Sequence, residues 1–93
     1  MKLGELLERV QPVETGVDQN TEVTSLAYDS RRVDKGCLFF AIAGEKTDGH
    51  LFIEDAVRRG AIAVVSERLP PAGFGSKWVR VRKIRRALSE AAP

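Results

Sequence analysis

The chain has 93 residues, enough for one small domain that buries about two thirds of its unfolded surface and too few for a multi-domain assembly. Apolar residues make up 43% and charged residues 30%, the balance of a folded globule rather than a disordered tail or a membrane protein. The net charge of +2 is local in origin: Arg80, Arg82, Lys83, Arg85 and Arg86 crowd one stretch, and the other 10 basic residues face 13 acidic ones.

Leu3, Leu6, Leu7 and Val10 fall at helical spacing, which predicts a short amphipathic helix over 2–10 that stops before Pro12. No secretory signal is expected, because Glu5, Glu8 and Arg9 interrupt any apolar run at this end. Residues 15–22 are polar and without period, so a loop is expected there, followed by a strand over 23–29. Residues 29–36 form a polar connection that ends in a turn over 34–36.

Residues 37–43 are continuously apolar and read as a central strand covered on both faces, placed mid-sheet. Its single cysteine cannot form an internal disulfide, which fits a reducing cytoplasm, and a thiol inside an apolar strand is inert packing. After a loop over 44–49, Phe52, Ile53, Ala56 and Val57 predict a helix over 50–59, with Asp48 as its N-cap and Gly60 as its stop. Residues 61–66 read as another buried strand, so the order is that of a βαβ unit with a right-handed crossover. The Pro- and Gly-rich stretch 69–75 is a loop, 78–81 a short strand of open direction, and Ile84, Leu88 and Ala91 mark a last helix. The predicted fold is a single α/β domain over 1–93, with a mixed, partly parallel sheet of four to five strands flanked by helices. No apolar run approaches the roughly 20 residues that cross a bilayer, so no membrane insertion is expected.

The 44–49 loop repeats the G-x-x-x-x-G spacing of a phosphate-binding loop, but His50 and Leu51 follow where Lys and Ser/Thr would grip phosphate and Mg²⁺. Triphosphate hydrolysis is therefore not expected, and a purified chain should show no ATPase turnover. Backbone N–H groups at a helix start still favour an anion, with Lys46 adding charge, while the plainer reading is that Gly44 and Gly49 serve the turn. Cys37 with His50 is not expected to act as nucleophile and base, and His50 reads as a surface or capping residue. One His and one Cys give no metal-ligand cluster. Ser30, just past a strand end between Asp29 and Arg31, is either a ligand-facing hydroxyl or part of a turn that satisfies its own backbone. The basic stretch 80–86 reads as solvated strand and helix faces, with no nucleic-acid partner expected, and a binding patch is its alternative.

Taken together, Leu26-Ala27-Tyr28-Asp29-Ser30-Arg31-Arg32-Val33, Gly36 to Ala41, Gly44, Asp48-Gly49-His50, Phe52-Ile53, Ala56 and Gly60-Ala61 resemble the amino-terminal domain of the Mur ligases. The wording is nearest to the members that add the third residue of the peptidoglycan stem peptide. The members that add D-alanyl-D-alanine share much of it and are the alternative, beside a stand-alone binding module using the 80–86 patch. The resemblance implies a domain that holds the UDP end of UDP-N-acetylmuramoyl-L-alanyl-D-glutamate in the cytoplasm. Its partners would be that substrate and the rest of its own ligase chain. ATP and Mg²⁺ would act on the full-length ligase, with no cofactor and no catalytic or metal-binding residue in this stretch. Carried over residue by residue, the resemblance implies substrate contacts at Ser30, Tyr28, Glu45, Lys46 and Thr47.

Overall fold

The computed structural model describes residues 1–43 and 48–92. Five strands, β1 (Glu14–Thr15), β2 (Ser25–Ala27), β3 (Cys37–Phe40), β4 (Ala63–Ser66) and β5 (Trp78–Arg80), form one sheet in the order β1-β5-β4-β3-β2. Strands β2 to β5 run parallel and β1 pairs antiparallel with β5, so the sheet is mixed as the sequence predicts. Three α-helices, α1 (Leu3–Val10), α2 (Ile53–Arg58) and α3 (Ile84–Ala91), flank it.

Alternation along the strands divides the core into two layers. Leu38, Phe40, Ala63, Val65 and Val79 share one cluster with Leu3, Leu6 and Leu7 of α1 and Ile84, Ala87 and Ala91 of α3. Cys37, Phe39, Val64 and Trp78 share the other with Ile53 and Ala56 of α2. Every residue of β3 and β4 is buried, which is why these segments read as unbroken apolar runs. Cys37 is completely buried, and burial pushes its thiol pKa up, so it stays a protonated packing group.

Several expectations need correction. The strand at 37–43 is an interior one, but the middle place belongs to β4, and β3 ends at Phe40, beyond which only the Ala41 N–H still donates to the Val65 carbonyl, at 2.9 Å. The strand expected over 23–29 is shortened to Ser25–Ala27, and that over 61–66 to Ala63–Ser66. The helix expected over 50–59 is a 3₁₀ turn, Gly49–Phe52, followed by the shorter α2. Within the stretch read as loop, Thr15 belongs to β1, a two-residue edge strand too short to carry a period. The polar connection over 29–36 contains a 3₁₀ turn, Ser30–Arg32.

Two connections fix the geometry near the strand ends. Trp78 is buried and its indole Nε1–H donates to the Arg68 carbonyl at 2.8 Å, which ties the long 67–77 connection to the sheet. At the start of α3 the Ile84 N–H donates to the Glu67 carboxylate at 2.9 Å, a cap supplied from outside the helix.

Candidate functional site

The carboxyl ends of β2 and β3 open into a cleft of about 600 Å³. Residues following β2 supply Tyr28, Asp29, Ser30 and Arg31, and β3 and its extension supply Phe39 and Ile42. The 3₁₀ turn after the 44–47 segment supplies Gly49 and Phe52, and the first turn of α3 supplies Arg85. Ligands of open α/β sheets sit outside the carboxyl ends of the strands, where loops converge. Tyr28 and Phe52 are exposed aromatic side chains at this edge, at 66% and 39%, surfaces on which a planar ring can stack.

The turn that presents Ser30 is closed by its neighbour. Asp29 Oδ1 accepts the Arg31 backbone N–H at 3.0 Å, and its carboxylate takes a two-pronged grip from Arg31, Nε at 3.1 Å and Nη2 at 2.8 Å. The Arg31 side chain, then its backbone N–H, holds the Asp29 pKa at about 2. Ser30 itself is only 7% exposed, yet its hydroxyl has no hydrogen-bond partner among the described residues. The self-satisfied turn that sequence reasoning offered as one reading is thus present, closed by the Asp29 carboxylate and by the Val33 N–H on the Ser30 carbonyl, and it leaves the Ser30 hydroxyl out of its bonds.

Gly49 is required by close approach. Its N–H donates to the Ile42 carbonyl at 2.9 Å, and a Cβ built there would lie 2.8 Å from the Ile42 nitrogen. Ala43 and Asp48 pair across the same neck. Glu45, Lys46 and Thr47, the other substrate-contact candidates, and Gly44 lie outside the described residues. The plainer reading of Gly49 as a turn residue thus holds, and Asp48 accepts the His50 N–H at 2.9 Å, so that donor at the helix start is already taken.

His50 is a bridge rather than a surface residue. Its Nδ1 lies 2.6 Å from Asp48 Oδ1 and its Nε2 2.5 Å from the hydroxyl of Ser66, which is completely buried at the end of β4. An ionised carboxylate can only accept, so Nδ1–H donates to Asp48 and, in the neutral ring, Nε2 accepts from the Ser66 O–H. The Ser66 oxygen in turn accepts the Arg68 N–H at 3.0 Å, and Arg68 Nη2 reaches Asp48 Oδ2 at 2.9 Å. The connectivity imitates that of a hydrolytic Ser–His–Asp triad, but a hydroxyl with no exposed surface cannot meet a carbonyl. The network anchors the exit of the 44–47 segment to the middle strand. Sequence reasoning missed it because Asp48 and Ser66 lie 18 positions apart; a serine closing an apolar strand was the one available signal.

The His50 N–H, then its side chain, and Arg68 hold the Asp48 carboxyl at about 2 against an ordinary 3.8. A carboxyl depressed on folding stabilises the fold fully above its unfolded pKa and loses that contribution as pH falls through its folded one. The urea midpoint is therefore expected to fall between about pH 4 and pH 2, and Asp48→Asn should flatten the fall. An equally steep fall in that variant would assign the acid sensitivity to other carboxyls such as Asp29.

The five cations of the basic stretch divide among three surroundings. Arg80 donates to the Glu67 carbonyl and sits 3.9 Å from Glu14, whereas Arg82, Lys83 and Arg86 line one groove of about 370 Å³ beside Val10, in which Arg86 pairs with Glu90 at 2.7 Å. Arg85 alone of the five faces the Ser30 cleft.

Comparison with known proteins agrees with the motif reading. The model of the Mur ligase family, described as its catalytic domain, matches residues 22–92. The chain belongs to the Mur ligase family. Curated Mur ligase relatives include the UDP-N-acetylmuramoyl-L-alanyl-D-glutamate–2,6-diaminopimelate ligase of Solibacter usitatus, 50% identical over 99% of this chain and 19% of that protein. The ligase of the same name from Geobacter sulfurreducens is 44% identical over 99% of this chain and 18% of that protein. A solved structure of the D-alanyl-D-alanyl-adding Mur ligase from Acinetobacter baumannii superposes with a TM-score of 0.76 at 26% identity, over 96% of this chain and 20% of that one. The chain thus spans about a fifth of the length of these relatives. No helix among the described residues is long and apolar enough to cross a membrane.

Proposed function

We propose that the chain is the substrate-holding amino-terminal domain of a cytoplasmic, ATP-dependent ligase that joins 2,6-diaminopimelate to UDP-N-acetylmuramoyl-L-alanyl-D-glutamate. The observation that carries this reading is the convergence of the Ser30 hydroxyl, which has no hydrogen-bond partner among the described residues, with exposed Tyr28 and Phe52 at one sheet edge. The relatives supply the substrate: those bearing the diaminopimelate-adding name reach 50% identity, against 26% for the D-alanyl-D-alanyl-adding structure, so the latter specificity is not favoured.

In this reading the cleft takes the UDP end. A hydroxyl can both donate to and accept from uracil or ribose groups, the aromatic pair flanks the ring, and Glu45, Lys46 and Thr47 lie on the segment whose neck borders the cleft. Glu45 beside a diphosphate would contribute through its backbone rather than its carboxylate. In this reading Mg²⁺ and ATP act outside this stretch, since His50 and Leu51 follow Gly49 where a phosphate-gripping loop carries Lys and Ser or Thr. Both belong to the remainder of the ligase, together with the incoming amino acid.

Calorimetric titration of the chain with UDP tests the reading. Binding is expected, and Ser30→Ala should weaken it by about 0.5–1.5 kcal/mol, roughly 2- to 13-fold, with the fold intact. Absence of UDP binding by the unaltered chain would sink the proposal and favour a protein-binding module instead. That second reading would rest on Arg82, Lys83 and Arg86, which share one groove, while Arg80 and Arg85 face elsewhere and Arg86 is already paired with Glu90.

A further inference from the structure

Counted by its charges, the Ser30 cleft is lined by two arginines and one aspartate among the described residues. Arg31 and Asp29 hold each other in a two-pronged pair, so that pair presents little net charge to a ligand. Arg85 makes no ion pair and no side-chain hydrogen bond among the described residues, although its neighbour Arg86 pairs with Glu90 one turn along α3. The two side chains diverge because consecutive helical residues are about 100° apart. Ile84, in the core beside them, and the Glu67 cap on its N–H fix the helix start, and with it the place from which Arg85 reaches the cleft.

From this geometry we infer that Arg85 is a binding residue for the anionic part of the cleft's ligand, the diphosphate of a nucleoside diphosphate, and sets the preference for charged over neutral nucleosides. The inference rests on the reading of the cleft as the UDP site and adds to it a residue from the opposite end of the chain. A ring between Tyr28 and Phe52 places its phosphates along the same sheet edge, where a planar guanidinium with two N–H donors can grip them. The nearby carboxylate of Asp29 does not oppose this, because Arg31 already neutralises it.

The test is a ligand series of increasing charge, uridine, UMP and UDP, titrated into the unaltered chain, Arg85→Gln and Arg85→Lys. The unaltered chain should gain affinity as phosphates are added. Arg85→Gln should bind uridine as before and lose about tenfold for UDP, and Arg85→Lys should recover part of that loss. Because Arg85 is exposed, the urea midpoint should not move. Equal weakening for uridine and UDP, or no weakening for UDP, would overturn the role of Arg85 while leaving the cleft as the UDP site. An unaltered chain that binds neither ligand overturns the UDP reading itself, and the inference with it.

Discussion

Replacing Phe40 with alanine is expected to remove about 3–5 kcal/mol of stability. The side chain is completely buried in the layer shared by α1, α3 and the sheet, and Phe40 stands in register with Val65 of the middle strand. Few neighbours can relax into the space, because both helices are held there by their own short apolar faces. A domain of this size holds only about 5–15 kcal/mol in total, so about a fifth or more of the fold's stability rests on one ring. At roughly 4–8 °C per kcal/mol the melting temperature should fall by about 12 °C or more. Leu51→Ala is the control: Leu51 is 76% exposed, and its truncation should change stability by less than about 0.5 kcal/mol. A Phe40→Ala melt no lower than that of Leu51→Ala would mean that the α1/α3 layer is not the core of the fold.

What made the fold legible was burial on both faces. The runs 37–43 and 61–66 announced the two fully buried strands, and Leu3, Leu6 and Leu7 announced the face of α1 that meets them. Lengths were harder to read, because an apolar residue beyond the last strand pair still packs: Ala41 is buried outside β3 and Ala61 outside β4. The edge strand β1 left no trace, since two residues paired on one side need no pattern. A helix rather than a 3₁₀ turn was expected after Asp48 because a cap and apolar spacing do not distinguish the two, whereas the Asp48–His50–Ser66 bridge holds the first turn to the sheet.

The candidate site was legible only where its residues are neighbours in sequence. Tyr28 and Ser30 stand in one motif and line one cleft. Arg85 was read as part of a basic run, because charge counting along the chain is blind to the rotation that sends Arg85 and Arg86 to different faces. Phe52 was read as a packing residue of a helix, and its 39% exposure at the cleft follows from the 3₁₀ turn that carries it. Each of these depends on where one turn begins, which hydropathy does not record.

Gly60 is where the sequence signal and the three-dimensional constraint coincide, and Gly60→Ala is expected to cost about 2–4 kcal/mol. Its φ of +116° is a conformation that side chains rarely adopt, and a Cβ there would lie 2.7 Å from Lys35 Cα and 2.9 Å from Lys35 N. Both are backbone atoms that cannot swing aside. Relief would require the turn before β3 to withdraw, yet the Gly60 carbonyl accepts the Gly36 N–H at 3.0 Å and the Ile62 N–H donates to the Cys37 carbonyl at 2.8 Å. Moving Lys35 therefore strains the β3–β4 pairing that positions Phe39 and Ile42 at the cleft. Gly73 separates the two causes: its φ is +88°, and a Cβ there would meet nothing within 4 Å. Gly73→Ala should show the conformational cost alone, about 1 kcal/mol. Equilibrium urea unfolding of both variants measures the difference, which is the contribution of contact with the Lys35 backbone. If the two substitutions cost the same, the close approach contributes nothing and Gly60 is only a helix stop.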